Sequence, residues 1–139
     1  MSDGFDIKEL TNFEKKLIDL ATTKMPKESK KFMQNEGNKL KKKTLAKAKQ
    51  KVDKDTGNYH KSIKRGKVYK YNGDLSIRAY SGDNKAHLIE NGHRIVDKNG
   101  VEHGFKEGEH VFLEAEKEFE QQYYSDVQKF INAMLDKGL

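Results

Sequence analysis

The spacing of apolar residues changes twice along this chain, and the two changes constrain its fold more than any other feature of the sequence. Up to about Val52, and again from about Val111, apolar residues recur every three to four positions, which is typical of amphipathic helices. After Thr56-Gly57 they alternate with polar residues, which is typical of strands. We therefore predict an α+β fold with two N-terminal helices, a small and mainly antiparallel sheet of about four strands, and a long C-terminal helix packed on that sheet.

Three helical ranges follow from this periodicity. The first runs from about Gly4 to Lys24 and ends at Met25-Pro26, because proline is suited to the first turn of the next helix. The second runs from Lys27 to about Val52 and carries a thin apolar stripe on a surface covered with lysine. Gly37 inside this helix costs about 1 kcal/mol relative to alanine, which indicates a close contact or a kink. The third helix runs from about Val111 to Lys137.

The middle of the chain predicts two hairpins and a short helical turn. Residues 62–71 and 74–80 flank Asn72-Gly73, a pair that favours the positive φ values of a type I′ turn. Three apolar residues after this turn are expected to face the helices: Leu75, Ile77 and Ala79. Residues 86–93 predict a short helical turn that ends at Gly92. A second Gly-containing turn, DKNG, then separates the strands of a second hairpin.

The net charge of +6 conceals an asymmetry along the chain. Residues 24–70 hold 17 Lys or Arg and four acids, a net charge of +13, whereas residues 102–139 hold nine acids and four Lys, a net charge of −5. This pattern fits contacts between basic and acidic parts of different copies, a basic surface facing nucleic acid, or a solvated helical face. Because only 34% of the residues are hydrophobic, we expect one elongated or oligomeric domain over residues 1–139, whose neighbours help to bury its apolar faces.

The sequence contains no arrangement typical of a catalytic, cofactor-binding or metal-binding site. No Cys is present to bind a metal as thiolate, and none of the five His falls in an H-E-x-x-H motif. Gly-rich phosphate loops are missing, and the carboxylates in the middle of the chain lie mostly at predicted turns. No apolar run approaches the roughly 20 residues of a membrane helix, so no membrane association is expected. A basic DNA-processing protein or a metal-dependent nuclease remains the competing class.

Three short motifs occur in a fixed order: TGNYHKSI from Thr56, AHLIENGH from Ala86 and GEHVFL from Gly108. Together they resemble the tail-completion, or head-tail joining, proteins of tailed phages, the gene-product-ten-like family of lambda-like phages. The resemblance covers about residues 30–135 and rests on ten positions: Thr56, Gly57, Ser62, Ile63, Ala86, Glu90, Gly92, His110, Phe112 and Leu113. Two prolines that many relatives carry, one before the Thr-Gly pair and one beside the late Phe, are absent here.

The resemblance implies a virion structural protein with no enzymatic activity and no cofactor. Such proteins assemble as a ring, commonly a hexamer, in the virion neck or tail collar, where they complete the tail and join it to the head; related rings cap headless tails. The expected partners are copies of itself, the tail terminator, and tail-tube or head-closure proteins, after synthesis in the cytoplasm of the bacterial host. Four lysines of the second helix are candidates to face double-stranded DNA in the channel of the ring: Lys39, Lys41, Lys42 and Lys43.

Overall fold

A computed structural model of the chain describes residues 11–53 and 57–139. The helices within these ranges are α1 (Asn12–Lys24), α2 (Pro26–Lys51), α3 (Asn58–Ser62), α4 (Ala86–Asn91) and α5 (Val111–Asp136). The strands are β1 (Ile63–Arg65), β2 (Tyr69–Tyr71), β3 (Asp74–Ser76), β4 (Ala79–Ser81), β5 (Gly92–Val96) and β6 (Glu102–Glu107). The predicted α+β class is confirmed, and the bounds of α2 and α5 agree with the prediction to within about a residue.

Local sequence explains where the N-terminal helices begin and end. Thr11 precedes α1, and its hydroxyl oxygen accepts a hydrogen bond of 3.1 Å from the Glu14 backbone N. The Glu14 carboxylate in turn accepts a hydrogen bond of 3.3 Å from the Thr11 backbone N, which completes a capping box. Pro26 occupies the first position of α2, as predicted. The predicted start of the first helix, at Gly4, lies outside the described residues.

The strands form three antiparallel pairs rather than the one small sheet that periodicity predicts. β1 pairs with β4 and β2 pairs with β3, so these two pairs are halves of one long first hairpin. Residues 66–68 on one side of it lie opposite only residues 77–78 on the other, and this extra residue interrupts the ladder. The predicted turn is confirmed, because Asn72 and Gly73 both have positive φ, at 51° and 83°.

The core lies mainly between α2 and α5, which run antiparallel, and the first hairpin covers one side of α2. Within this core the ring centroids of Phe32 and Phe130 stack 4.5 Å apart. The prediction that the first hairpin turns its apolar residues inward is confirmed, since Ile77 and Ala79 are buried and Leu75 packs against the same core. The C-terminal helix therefore packs chiefly on α2, and less on the strands than the sequence suggests.

Gly37 marks the place where α2 and the first hairpin come closest. A Cβ atom at position 37 would lie 2.5 Å from Ile77 Cγ1 and 2.8 Å from Arg65 Cγ, inside the normal contact distance of carbon atoms. The predicted close contact at Gly37 is thus confirmed. The small residue offsets its poor helix propensity by letting the hairpin reach the helix backbone.

The second hairpin is confirmed and projects from the rest of the molecule. We call residues 92–107 the arm: it consists of β5, the turn at residues 97–101, and β6. Asp97 closes the turn, because its carboxylate accepts hydrogen bonds of 2.9 Å from the backbone N atoms of Asn99 and Val101. Four apolar side chains of the arm are between 43% and 55% exposed: Ile95, Val96, Val101 and Phe105.

Candidate functional site

The base of the arm is held by a buried carboxylate, that of Glu90 at the end of α4. Glu90 is only 3% exposed. Its Oε1 accepts a hydrogen bond of 2.9 Å from the Phe112 backbone N, and its Oε2 accepts one of 3.1 Å from the Leu113 backbone N. Both N–H groups belong to the first turn of α5, where a helix has no internal acceptor for them and where its dipole favours negative charge. Glu90 therefore caps α5 from another element.

The chain folds this way because α5 has no cap of its own. His110 precedes α5 with φ at 51°, and its side chain makes no capping hydrogen bond. Its backbone N instead donates to the Glu90 carbonyl O at 3.2 Å, and the Glu109 backbone N donates to the Ile89 carbonyl O at 2.7 Å. The end of α4 and the start of α5 thus satisfy one another's free backbone groups.

Two glycines complete this joint at positions where a side chain does not fit. Gly92 follows α4 with φ at 86° and ψ at 174°, so the left-handed helical end predicted there is wrong, although the positive φ still favours glycine. A Cβ on Gly92 would collide with the Lys106 carbonyl O. A Cβ on Gly108 would collide with the Glu90 carbonyl O. We call Glu90, Gly92, Gly108 and residues 110–113 the joint. It brings the second and third sequence motifs together and sets the direction of the arm.

The first motif lies at the junction between α2 and the first hairpin. Thr56 is outside the described residues, but Gly57 has φ at 84° and immediately precedes α3. Ser62, predicted to begin the first strand, instead ends α3, where its hydroxyl group donates to the Tyr59 carbonyl O at 2.5 Å. Ile63 begins β1 as a buried core residue. A cavity of about 330 Å³, lined in part by Gly57 and Ile89, separates this junction from α4. Ala86, at the start of α4, is buried.

The lysines of α2 form a ladder of ion pairs with acids of α5. Lys39 Nζ lies 2.8 Å from Asp126 Oδ2, and Lys47 Nζ lies 2.7 Å from Glu118 Oε1. Lys51 Nζ lies 2.9 Å from Glu114 Oε1, and its hydrogen bond lowers the pKa of Glu114. The four-residue spacing of lysines on α2, matched by that of acids on α5, is a signal in the sequence that indicates such a ladder. The opposite charges of the two halves of the chain therefore meet within one molecule.

The ladder separates the four lysines predicted to face DNA into two pairs. Lys39 is paired as above, and Lys43 Nζ lies 3.7 Å from Glu118 Oε2. Lys41 is half-buried and Lys42 is exposed, and neither pairs with an acid in the described part of the chain. Of these four lysines, Lys41 and Lys42 thus keep a positive charge that no acid among the described residues offsets.

Glu36 is a buried acid that sequence reasoning missed, because it occupies a position of the apolar face of α2. Only 1% of its surface is exposed, and its carboxyl group shares a hydrogen bond with Asp126 on α5. Burial, together with the hydrogen bond and charge of Asp126, raises the pKa of Glu36 to about 8. Burial also pushes the pKa of Asp126 upward, but hydrogen bonds from Lys39 and Glu36 outweigh it and hold that pKa below its usual value. The two carboxyl groups therefore share one proton at neutral pH.

The positions of the histidines bear on the metal hypothesis. His60 Nε2 lies 3.1 Å from the Val52 carbonyl O, and His103 Nε2 lies 2.8 Å from Asp97 Oδ2 at the tip of the arm. Across residues 11–53 and 57–139, no three His, Asp or Glu side chains come together in a way that could hold a metal ion. In the same ranges, no helix has the length and apolar character needed to cross a bilayer.

Comparison with known families agrees with the resemblance seen in the motifs. The model of a family described as "Bacteriophage HK97-gp10, putative tail-component" matches residues 12–92, which is more than half of the chain. This range contains the first motif and most of the second, and it ends at Gly92, inside the joint. No curated protein and no solved structure matches the chain. The chain therefore belongs to the HK97 gp10-like family of bacteriophage tail components.

Proposed function

We propose that this tail component is a non-enzymatic structural subunit that assembles with copies of itself into a ring, with a hexamer as the expected form. The ring lies at the virion neck or tail collar, where it completes the tail and joins it to the head. Membership of the family supports the place in the tail. The observation that supports assembly is the arm, which projects from a rigid joint and exposes apolar side chains on a ribbon of two strands.

An isolated ribbon of two strands gains little stability in water, because it has too few neighbours to bury its apolar residues. The arm carries four such residues, and it is anchored at one end, where Glu90 and the two glycines fix it. Exposed apolar residues grouped on one element are typical of a surface that binds another protein. A neighbouring subunit would bury this surface and complete the fold.

The proposed partners in the particle are the tail terminator and the tail-tube or head-closure proteins. The purified chain is expected to form a discrete closed assembly, alone or when mixed with the tail terminator, because an arm on every subunit allows contacts to propagate until a ring closes. Native mass spectrometry and sedimentation velocity check this result. A strictly monomeric chain that binds no tail or neck protein would overturn the proposal.

The non-enzymatic part of the proposal has its own control. Incubation of the assembled protein with supercoiled plasmid and Mg²⁺ or Mn²⁺ is expected to leave the plasmid intact. Metal-dependent nicking that follows the protein through purification would favour the competing DNA-processing class.

We also propose that Lys41 and Lys42 face double-stranded DNA in the channel of the ring. Replacing both by Gln is expected to lower affinity for linear duplex DNA and to reduce the slope of log affinity against log salt by about 2, since each lysine contributes about one released counterion. Fluorescence anisotropy of labelled duplex over a range of salt concentrations measures the slope. The matched control is Lys39→Gln with Lys43→Gln, because these lysines are already paired with acids. If both double variants give the same slope of log affinity against log salt, Lys41 and Lys42 do not face DNA.

A further inference from the structure

An open groove lies on the outer side of the first hairpin. It has a volume of about 650 Å³ and is lined by Gly66, Lys67, Tyr69, Tyr71, Arg78 and Tyr80. We call it the tyrosine groove. The Arg78 guanidinium carbon lies 5.5 Å from the centre of the Tyr80 ring, a cation–π arrangement that holds the charge at the groove. Tyrosine and arginine together are the side chains most typical of strong protein contacts.

The groove carries a positive charge that no acid among the described residues neutralises. No acid occurs between residues 57 and 73, whereas Lys61, Lys64, Lys67 and Lys70 are all exposed there. The nearest acid in sequence, Asp74, is buried and lies 3.4 Å from Lys15 Nζ. In the part of the chain that the structure describes, neither Lys67 nor Arg78 forms an ion pair. The contrast with the lysine ladder of α2 is clear: there the acids of α5 supply the opposite charge.

One face of the arm offers the complementary surface. Cross-strand pairing places Arg94 opposite Phe105, Val96 opposite Glu102, and Gly92 opposite Glu107. Directly opposed residues share a face and successive residues of β5 alternate, so Gly92, Arg94 and Val96 lie on one face together with their partners Glu107, Phe105 and Glu102. The register shifts between Ile95 and Val96, and this bulge in β6 brings Glu102 to the same face as Phe105. Only Arg94, whose Nη1 is 3.9 Å from Glu102 Oε2, adds positive charge to it. This face is apolar in its middle and acidic on balance.

Neither surface is covered by residues 11–53 or 57–139 of its own chain. Val96 and Phe105 are 52% and 55% exposed, and Tyr71 in the groove is 41% exposed. The arm of a subunit therefore does not fill the groove of that same subunit. An arm that fits a different patch on the next copy makes a head-to-tail contact, and contacts of this kind close into rings when the rotation between copies allows it.

We infer that the arm of one subunit docks in the tyrosine groove of the next, with Phe105 and Val96 against the tyrosines and with Glu102 and Glu107 facing Lys67 and Arg78. This inference rests on the proposed ring and names the surfaces that build it. Burial of the apolar side chains stabilises the contact, and the charges select the register.

Two variants test it, each damaging one side of the contact. The groove variant is Lys67→Glu with Arg78→Glu, and the arm variant is Phe105→Lys; all three positions are exposed, so folding is expected to survive, and circular dichroism checks this. Each variant alone is expected to raise the concentration needed for half-assembly by roughly tenfold or more, because each places like charges together or removes the apolar contact. The control, Lys30→Glu with Lys31→Glu on the exposed side of α2, is expected to assemble like the wild type.

Mixing the two variants gives the decisive result. The intact arm of the groove variant should dock in the intact groove of the arm variant, so an equimolar mixture should form a one-to-one dimer and nothing larger. Adding Glu102→Lys and Glu107→Lys to the groove variant should restore assembly by exchanging the charges. Sedimentation velocity distinguishes these species.

The possible failures are separable. A wild type that stays monomeric would overturn the ring proposal and this contact with it. A wild type that assembles while both variants also assemble normally would overturn the contact alone. A groove variant that assembles normally but loses affinity for a single-stranded DNA oligonucleotide would assign the groove to nucleic acid and overturn the contact.

Discussion

Replacing Glu90 by Gln is expected to lower the free energy of unfolding by about 3 kcal/mol, because a buried carboxylate that accepts two backbone hydrogen bonds is lost. An amide side chain offers one oxygen, so its NH₂ group would face either the Phe112 or the Leu113 backbone N–H, which both need an acceptor. The negative charge at the positive end of the α5 dipole also disappears. Urea unfolding followed by circular dichroism measures the difference.

The matched control is Glu109→Gln, which removes the same charge beside the same joint. The Glu109 side chain makes no hydrogen bond to a residue in the described ranges, and only its backbone N takes part in the joint. The free energy of unfolding of Glu109→Gln is expected to lie within about 0.5 kcal/mol of the wild-type value. Amide hydrogen exchange adds a local readout, since the N–H groups of Phe112 and Leu113 should exchange faster in the Glu90 variant alone. Equal stability of the two variants would show that Glu90 does not cap α5.

The free energy of unfolding is expected to fall as the pH rises from about 5 to about 8, by roughly 1 kcal/mol per pH unit, and to level off above pH 8. The reason is the pKa of Glu36, which burial and the neighbouring Asp126 raise to about 8 from its ordinary value of 4.5. Between these two values the folded chain keeps the Glu36 proton and the unfolded chain releases it. Folding therefore takes up a proton, which becomes harder as the pH rises.

Glu36→Gln isolates this effect, since glutamine keeps the shape and a donor toward Asp126 but does not titrate. The variant is expected to match the wild type near pH 5 and to be more stable by about 3 kcal/mol at pH 8. Urea unfolding at pH 5, 6, 7 and 8 gives the free energy of unfolding of each protein. Both proteins contain the same histidines, so the contributions of the histidines cancel in the difference between the two free energies. Glu28→Gln, an exposed acid on the same helix, should retain the slope of the wild type. If the difference in free energy of unfolding between Glu36→Gln and the wild type does not change with pH, Glu36 does not have a raised pKa in the folded chain.

The lowest pH used in these unfolding measurements must lie above the pH range in which Asp126 titrates. Its pKa is held below the ordinary value, so Asp126 contributes stability that is present above its unfolded pKa and is lost as the pH falls through its folded pKa. That loss has the opposite sign to the Glu36 effect and occurs in more acidic solution. Measurements from pH 5 upward therefore report Glu36 alone among these two groups.

Hydrophobic periodicity and turn chemistry were enough to predict α2, α4, α5, the end of α1 and both hairpins, but they did not predict the short helix α3. The bounds of α2 and α5, the turn at Asn72-Gly73 and the close contact at Gly37 all depend on local rules, and all are confirmed. The pairing of strands was not predictable in the same way, because one extra residue between β1 and β2 divides the first hairpin. The extra residue moves the side chains beyond it to the opposite face, but the three residues of β2, a lysine between two tyrosines, are too few to reveal that change in the sequence.

For the joint, the sequence predicted which residues matter but not which contacts they make. The motifs named Glu90, Gly92 and Phe112, but not their roles, since the hydrogen bond that joins Glu90 to Phe112 spans 22 residues of sequence. Ordinary capping rules look within about one turn of a helix, so they miss a cap from another element. The ion pairs between α2 and α5 were missed for a similar reason. The lysines of α2 and the acids of α5 are visible in the sequence, but only the antiparallel packing of the two helices brings them within ion-pair distance.

The joint fixes the direction of the arm without using the side chains that the arm turns outward. The groups that hold it are the Glu90 carboxylate, backbone atoms of α4 and α5, and the two glycines. Substitutions at the outward positions are therefore expected to leave the orientation of the arm unchanged, so the joint and the surface proposed for docking are expected to evolve separately. Relatives that share the joint are expected to diverge mainly at Val96, Glu102 and Phe105, with compensating changes in the tyrosine groove, and an alignment of their sequences checks this.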